Sequence, residues 1–105
     1  MIFQFQTDNV TFFEEDKEYF EKRFLPLKKF AGISANQDES IMTIIKVSKN
    51  KHSSGNKFES SVNMDCSGLG SFHADTSADN IRKCADLLSS VLKSQIKKAH
   101  DKKLG

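Results

Sequence analysis

The residues of this chain that could do chemistry are three histidines, two cysteines and sixteen lysines and arginines. His52, His73 and His100 stand in a loop, a strand and a late helical turn, with no HExxH or Cys/His ligand spacing, and no glycine-rich loop opens a helix. Neither a metal site nor a nucleotide-phosphate cradle is therefore expected, and no cofactor. Cys66 and Cys84 lack CxxC spacing and read as buried thiols rather than as a disulfide or a metal pair. Cys84 with a distant histidine would be the one thiol nucleophile available, but it lies at the edge of an apolar helical stripe, where cysteine serves packing. His73 beside Asp75 on a strand reads as a surface residue of an open sheet face rather than a general base. The chain is not expected to be an enzyme.

The basic residues remain. From Asp79 onward the chain carries seven lysines and arginines (Arg82, Lys83, Lys93, Lys97, Lys98, Lys102, Lys103) against three aspartates, although the whole chain has a formal net charge of only +2. On a helix, Arg82, Lys93, Lys97 and His100 fall on one side of the apolar stripe, interrupted only by Asp86. A second cluster, Lys22, Arg23, Lys28 and Lys29, falls in the later turns of an earlier helix. Two readings fit such clusters: lysines that complement the negative ends of helix dipoles and keep the surface soluble, or a surface for RNA or another polyanion.

The elements that must position these residues follow from periodicity. Ile2 to Gln6 alternates as a short strand. Thr11 and Glu14 resemble a capping box opening a helix from about residue 12 to Ala31, with Phe13, Phe20, Phe24, Leu27 and Ala31 on one face and Glu14, Glu15 and Asp16 in its first turn. Pro26 predicts a kink or an early end, and Gly32 the stop. After a polar link (Ser34 to Glu39), Ile41 to Val47 reads as a buried strand. In Lys57 to Cys66, Phe58, Ser60, Val62, Met64 and Cys66 alternate with polar residues. Ser67-Gly68-Leu69-Gly70 turns the chain into Ser71 to Asp75, closing a hairpin. Lys49 to Lys57 is a long loop. Thr76 and Asp79 predict the cap of a last helix over 78–101, whose stripe is Ile81, Ala85, Leu88, Leu92, Ile96 and Ala99, with Cys84 and Val91 at one edge.

The order β-α-β-β-β-α predicts an α+β two-layer sandwich, a four-stranded sheet with two helices on one face. Its expected core includes Phe20, Phe24, Val62, Leu88 and Leu92. At 105 residues, with 37% hydrophobic residues and nine Phe, the chain is expected to be one soluble domain over 1–105. No apolar run approaches a membrane span and the first residues lack the pattern of a secretory signal, which points to the cytoplasm and to no membrane partner.

Five segments carry a resemblance: Thr7 to Thr11 at the first strand-helix junction, E-Y-F-E-K-R-F-x-x-L-K-K-F (Glu18 to Phe30), I-I-K-V-S-K (Ile44 to Lys49), F-H-A-D (Phe72 to Asp75), and a long last helix ending K-K-A-H-D-K-K. In their order the chain resembles, over essentially its whole length, the ribosome hibernation promoting factor family, also called ribosome-associated inhibitors or sigma-54 modulation proteins. The resemblance implies a domain related in architecture to double-stranded-RNA-binding domains. It would sit on the small ribosomal subunit, in the channel used by messenger RNA and transfer RNA, and inhibit by occupancy without making or breaking a bond. Lysines and arginines of the two helices would touch ribosomal RNA phosphates.

Carried over by position, Lys22, Arg23 and Lys29 match basic positions of the family's first helix, and Lys98 and Lys102 match basic positions near the end of the second. With the stripe residues, the expected RNA-binding set is Lys22, Arg23, Lys28, Lys29, Arg82, Lys93, Lys97, Lys98, His100, Lys102 and Lys103. The chain departs from the family at Pro26, where members usually have a basic residue. It departs also at Asn80-Ile81-Arg82, where Asp-Met-Tyr is common, and at Val91 and Ser94, where Lys and Arg commonly flank the position of Leu92. The partners expected are the small ribosomal subunit and its ribosomal RNA, with no small-molecule substrate. The protein is expected to be a monomer without the C-terminal domain through which long members dimerise ribosomes. A module of the same fold that binds free structured RNA by shape, or an acidic protein surface, is the alternative.

Overall fold

The computed structural model describes residues 1–31, 41–49 and 57–104, the side chains of Lys103 and Leu104 excepted. Its elements are β1 (Ile2–Asp8), α1 (Glu14–Phe24), α2 (Leu27–Phe30), β2 (Ile41–Lys49), β3 (Phe58–Cys66), β4 (Gly70–Ala78) and α3 (Ile81–Leu104). The strands form one sheet in the order β1-β2-β3-β4. β1 and β2 are parallel, joined by the crossover that contains α1 and α2, whereas β2, β3 and β4 are antiparallel neighbours. The expected β-α-β-β-β-α sandwich is therefore present, with the first helix broken in two. The expected stop at Gly32, the link over 34–39 and nearly all of the loop over 49–57 lie outside the described residues.

Register explains why one sheet face is apolar. Phe5, Ile45, Val62 and Ala74 stand side by side across the four strands, and Phe3, Thr43, Met64 and Phe72 form the neighbouring row. Because successive side chains alternate between faces, these rows point the same way. The helix stripes Phe20, Phe24 and Leu27, and Cys84, Ala85, Leu88, Leu92 and Ile96, close over them in a single core. Each fully buried Leu, Ile or Phe there contributes about 1.5–3 kcal/mol. All five residues expected in the core are at most 1% exposed. Phe12 adds to it by packing on Phe5 and Phe20, with ring centroids 5.5 and 5.8 Å apart.

The strands β1, β2 and β4 and the end of α3 run a few residues beyond the sequence expectation, and three helix boundaries differ for identifiable reasons. α1 is capped at Phe13, not Thr11: the Asp16 carboxylate accepts the Phe13 backbone N–H at 3.1 Å, so the helix begins at Glu14. Phe13 is consequently 61% exposed rather than on the apolar face, and Phe12 takes the inward place. The first helix ends at Phe24 because Pro26 has no N–H to donate; with φ −62° it instead serves as the N-cap of α2. Thr76 does not cap the last helix, because β4 pairs with β3 as far as Phe58 and Ala78 and so includes it. The cap is Asn80, whose side-chain oxygen accepts the Lys83 backbone N–H at 2.7 Å.

Candidate nucleic-acid interface

Contacts along the helices fix their relative direction. Asp16 of α1 meets Arg82 at the start of α3, Arg23 meets Asp86 one turn on, and Phe30 of α2 meets Lys93 and Lys97 further along. α1 and α2 thus run alongside α3 in the same sense, with both starts at one end and both finishes at the other. In α1 acidic residues fill the first turn (Glu14, Glu15, Asp16) and basic ones the last (Lys22, Arg23), whereas the first turn of α3 has no acidic residue and carries Arg82 and Lys83, with Asp79 just before it and Lys93, Lys97, Lys98 and Lys102 gathered later. The polarity of α1 is what a helix dipole favours.

The dipole does not account for all of the basic residues. Its effect on a side chain is confined to about the last turn of a helix. Lys97 and Lys93 precede the end of α3 at Leu104 by about two and three turns. They are also like charges at i,i+4, which disfavours the helix by a few tenths of a kcal/mol. Both nevertheless lean over the same ring, their Nζ atoms 4.8 and 5.6 Å from the centroid of Phe30. Opposite them, Lys22 and Arg23 project from the last turn of α1 into the same cleft, which encloses about 400 Å³ between the helices. Ser89 and Ser90 line its α3 side, and Pro26, Leu27 and Phe30 its floor.

At the acidic end of this seam a polar clasp joins α1 to α3. Asp86 accepts hydrogen bonds from the Tyr19 hydroxyl and from Arg23 Nε, both at 2.7 Å. Arg82 lies over the Tyr19 ring, 5.4 Å from its centroid, and 3.6 Å from Asp16. The bond to Asp86 is the main reason the Tyr19 hydroxyl titrates above its ordinary value, with burial a lesser cause. Arg82 and Arg23 therefore already have carboxylate partners, whereas Lys93 and Lys97 face only an aromatic ring among the described contacts.

The expected binding residues consequently divide. Lys22, Arg23 and Lys93 line the cleft, and Lys97 reaches the Phe30 ring that forms part of its floor. Lys29 is exposed on α2 and Lys28 is half-buried there. His100 lies beyond Lys97 on the same side of α3, by its helical phase. Arg82 is about 22 Å from Lys97 along the helix axis. Lys98 and Lys102 lie on the other flank of α3, where they line a hollow with Phe72 of β4 and Gln95. The Lys103 side chain lies outside the described residues. Phe30 was not among the expected binding residues. A signal for it exists in the sequence: a large aromatic directly after Lys28-Lys29 and off the Phe20-Phe24-Leu27-Ala31 stripe.

Among the described residues no nucleophilic or metal centre competes with this surface. The Cys84 sulfur points toward the Phe58 carbonyl oxygen at 3.8 Å, at the opposite end of β3 from Cys66, so the length of the strand, roughly 26 Å, separates the two, and both thiols are free. Burial pushes both thiols above their ordinary value, the reverse of activation. His73 stands exposed on the outer sheet face, its ring nitrogens 2.7 Å from the Asn63 side-chain oxygen and 3.2 Å from Asp75, with no thiol or hydroxyl nucleophile on either nitrogen. Among the described residues no group of three His, Cys, Asp or Glu side chains could hold a metal ion. No described helix is long and apolar enough to cross a membrane.

Comparison with known proteins agrees with this architecture. The N-terminal domain of Protein Y from Thermus thermophilus superposes with a TM-score of 0.73 at 18% identity, over 92% of this chain and 96% of that domain. A ribosomal subunit interface protein from Coxiella burnetii superposes with a TM-score of 0.68 at 23% identity, over 93% of this chain and 96% of the other. No curated protein sequence matches significantly. Residues 3–104, nearly all of the chain, match the family described as sigma 54 modulation protein / S30EA ribosomal protein. The chain therefore belongs to that family, whose members are ribosome-associated and not enzymes.

Proposed function

We propose that this protein binds the small ribosomal subunit in the channel used by messenger RNA and transfer RNA and blocks translation by occupying it. The contacts are electrostatic: lysines and arginines along α1, α2 and α3 neutralise ribosomal RNA phosphates and release their counterions. Lys22, Arg23, Lys93 and Lys97 form the centre of that surface, Lys28, Lys29 and His100 extend it, Lys98 and Lys102 serve a second strand of RNA on the other flank of α3, and Lys103 adds charge near the end of the chain. Arg82, at the start of α3 and about 22 Å from Lys97, orients rather than binds. The protein acts as a monomer in the cytoplasm and needs no cofactor.

The observation that carries this reading is the placement of Lys93 and Lys97. They are too far from the helix end for the dipole to explain them and adjacent in spite of mutual repulsion, both lean on the Phe30 ring, and across the cleft Lys93 faces two more cations. The test is sedimentation of lysate through a sucrose gradient together with translation in a reconstituted system. Co-migration with small subunits, and inhibition relieved by excess messenger RNA, is the expected result. Signal confined to the top of the gradient overturns the reading in favour of a binder of free structured RNA or of an acidic protein surface.

A further inference from the structure

The cleft between α2 and α3 combines two surfaces that phosphate binding alone does not require. Its rim is cationic, with Lys22, Arg23 and Lys93, but its floor is apolar, with Leu27 and the half-buried ring of Phe30. At about 400 Å³ it falls within the usual range of small-ligand sites, roughly 300–1,000 Å³. Two exposed ammonium groups converge on the Phe30 ring. Exposed cation–π contacts of this kind are weak, and the long lysine stems can swing aside, so the ring is available to a planar ligand that brings an anion with it.

We propose that this cleft receives one unpaired ribonucleotide of an RNA strand, its base stacked on Phe30 and its phosphate held by Lys93, Lys97 and Arg23. The inference rests on the RNA-binding reading above and specifies what that site selects. A base inside a duplex has both faces covered by its neighbours and offers none to Phe30; an unpaired base does. The phosphate relieves the repulsion between Lys93 and Lys97 when they turn from the ring toward it. Stacking tolerates any base, so the cleft discriminates unpaired from paired RNA and does not read sequence.

The experiment measures binding of the intact protein, from about 50 to 200 mM salt, to a labelled single-stranded RNA octamer, to a duplex of the same length and to purified small subunits. Parent protein should prefer the single strand. Phe30→Leu should weaken single-strand binding by roughly tenfold with an unchanged salt slope, as loss of a stack without loss of a phosphate contact. Phe30→Tyr should bind like the parent. Lys93→Gln should lower the slope by about one unit. Should Phe30→Leu not fold, nuclear Overhauser contacts between base protons and the Phe30 ring in the parent complex decide the matter. Equal affinity for duplex and single strand, a folded Phe30→Leu that binds like the parent, or absence of those contacts at saturation overturns the nucleotide site. If small subunits are still bound with a steep salt slope in that case, the broader RNA reading stands; if neither oligonucleotide nor subunit is bound, both fail.

Discussion

Replacing Lys93 and Lys97 by Gln and, separately, Lys98 and Lys102 by Gln asks which flank of α3 faces the RNA. Gln retains helix propensity and most of the side-chain length, so each pair removes two charges with little structural change. If Lys22, Arg23, Lys28, Lys29, Lys93 and Lys97 each neutralise one phosphate, the logarithm of the binding constant falls against the logarithm of salt with a slope near −5. Raising salt fourfold, from about 50 to 200 mM, then costs about three powers of ten in affinity. Removing the Lys93 and Lys97 contacts lowers the slope by about two units, so the same rise in salt costs roughly tenfold less. The cleft pair should show this full effect and the pair on the β4 flank a smaller one, because Lys98 and Lys102 are separated from the cleft by the body of the helix. Binding to purified small subunits, with thermal melts of each variant as a control for folding, gives both slopes. An unchanged slope for Lys93→Gln/Lys97→Gln, or a larger change for the β4-flank pair, would refute the assignment of the cleft as the principal phosphate surface.

Asp86→Asn should tighten binding at low salt and steepen the slope, because the carboxylate that neutralises Arg23 is removed; weaker binding would show that Asp86 is needed to aim Arg23. Leu88→Ala, at a fully buried position, should cost about 2 to 5 kcal/mol and lower Tm correspondingly, with an unchanged melt contradicting the core described. Thr43→Val should stabilise by about 1 to 3 kcal/mol, since the buried Thr43 hydroxyl has no hydrogen-bond partner among the described residues; a loss of stability in a chemical melt would mean that the hydroxyl is satisfied. Both thiols titrate above their ordinary 9.0 when folded, so their contribution to stability is complete below about pH 9 and declines as pH rises through the raised values. Cys66→Ser/Cys84→Ser should therefore melt at lower temperature yet lose less stability than the parent between neutral and strongly alkaline pH, and should still bind small subunits. An identical alkaline decline in parent and variant counts against this account.

Periodicity made most of the fold legible. Alternation in Phe58 to Cys66 and the Leu88-Leu92-Ile96 stripe each allow one buried face, and the buried residues are those that both patterns name. The boundaries were less legible because they depend on competition between neighbours. Thr76 has the chemistry of a cap, but β3 supplies it with a strand partner, Ser60, and pairing prevails. Thr11 has a capping pattern too, yet Asp16 reaching back to Phe13 starts the helix two residues later, and this exchanges the roles of Phe12 and Phe13. The site was legible as charge but not as geometry. Helical phase places Lys93 and Lys97 together, whereas their convergence with Lys22 and Arg23 depends on the parallel course of two helices far apart in the chain. Phe30 lies in α2, the separate short helix that follows the break at Pro26, and its contact with Lys93 and Lys97 depends on the packing of α2 against α3.

That parallel course also explains how a protein of net charge +2 can present a polyanion surface. The outer face of the sheet carries Asp8, Glu59, Asp65 and Asp75 against Lys46, by the alternation of its strands. The helix layer carries the surplus of positive charge toward the finishes of α2 and α3. The molecule is thus an electrostatic dipole across its two layers as well as along its helices. Such a distribution turns the helix layer toward a polyanion during approach and the acidic sheet away from it. A uniformly basic protein would gain the same attraction without the orientation, and would bind other nucleic acids as readily. Small net charge combined with strong separation of charge favours one pose, which is what the proposed action by occupancy would require.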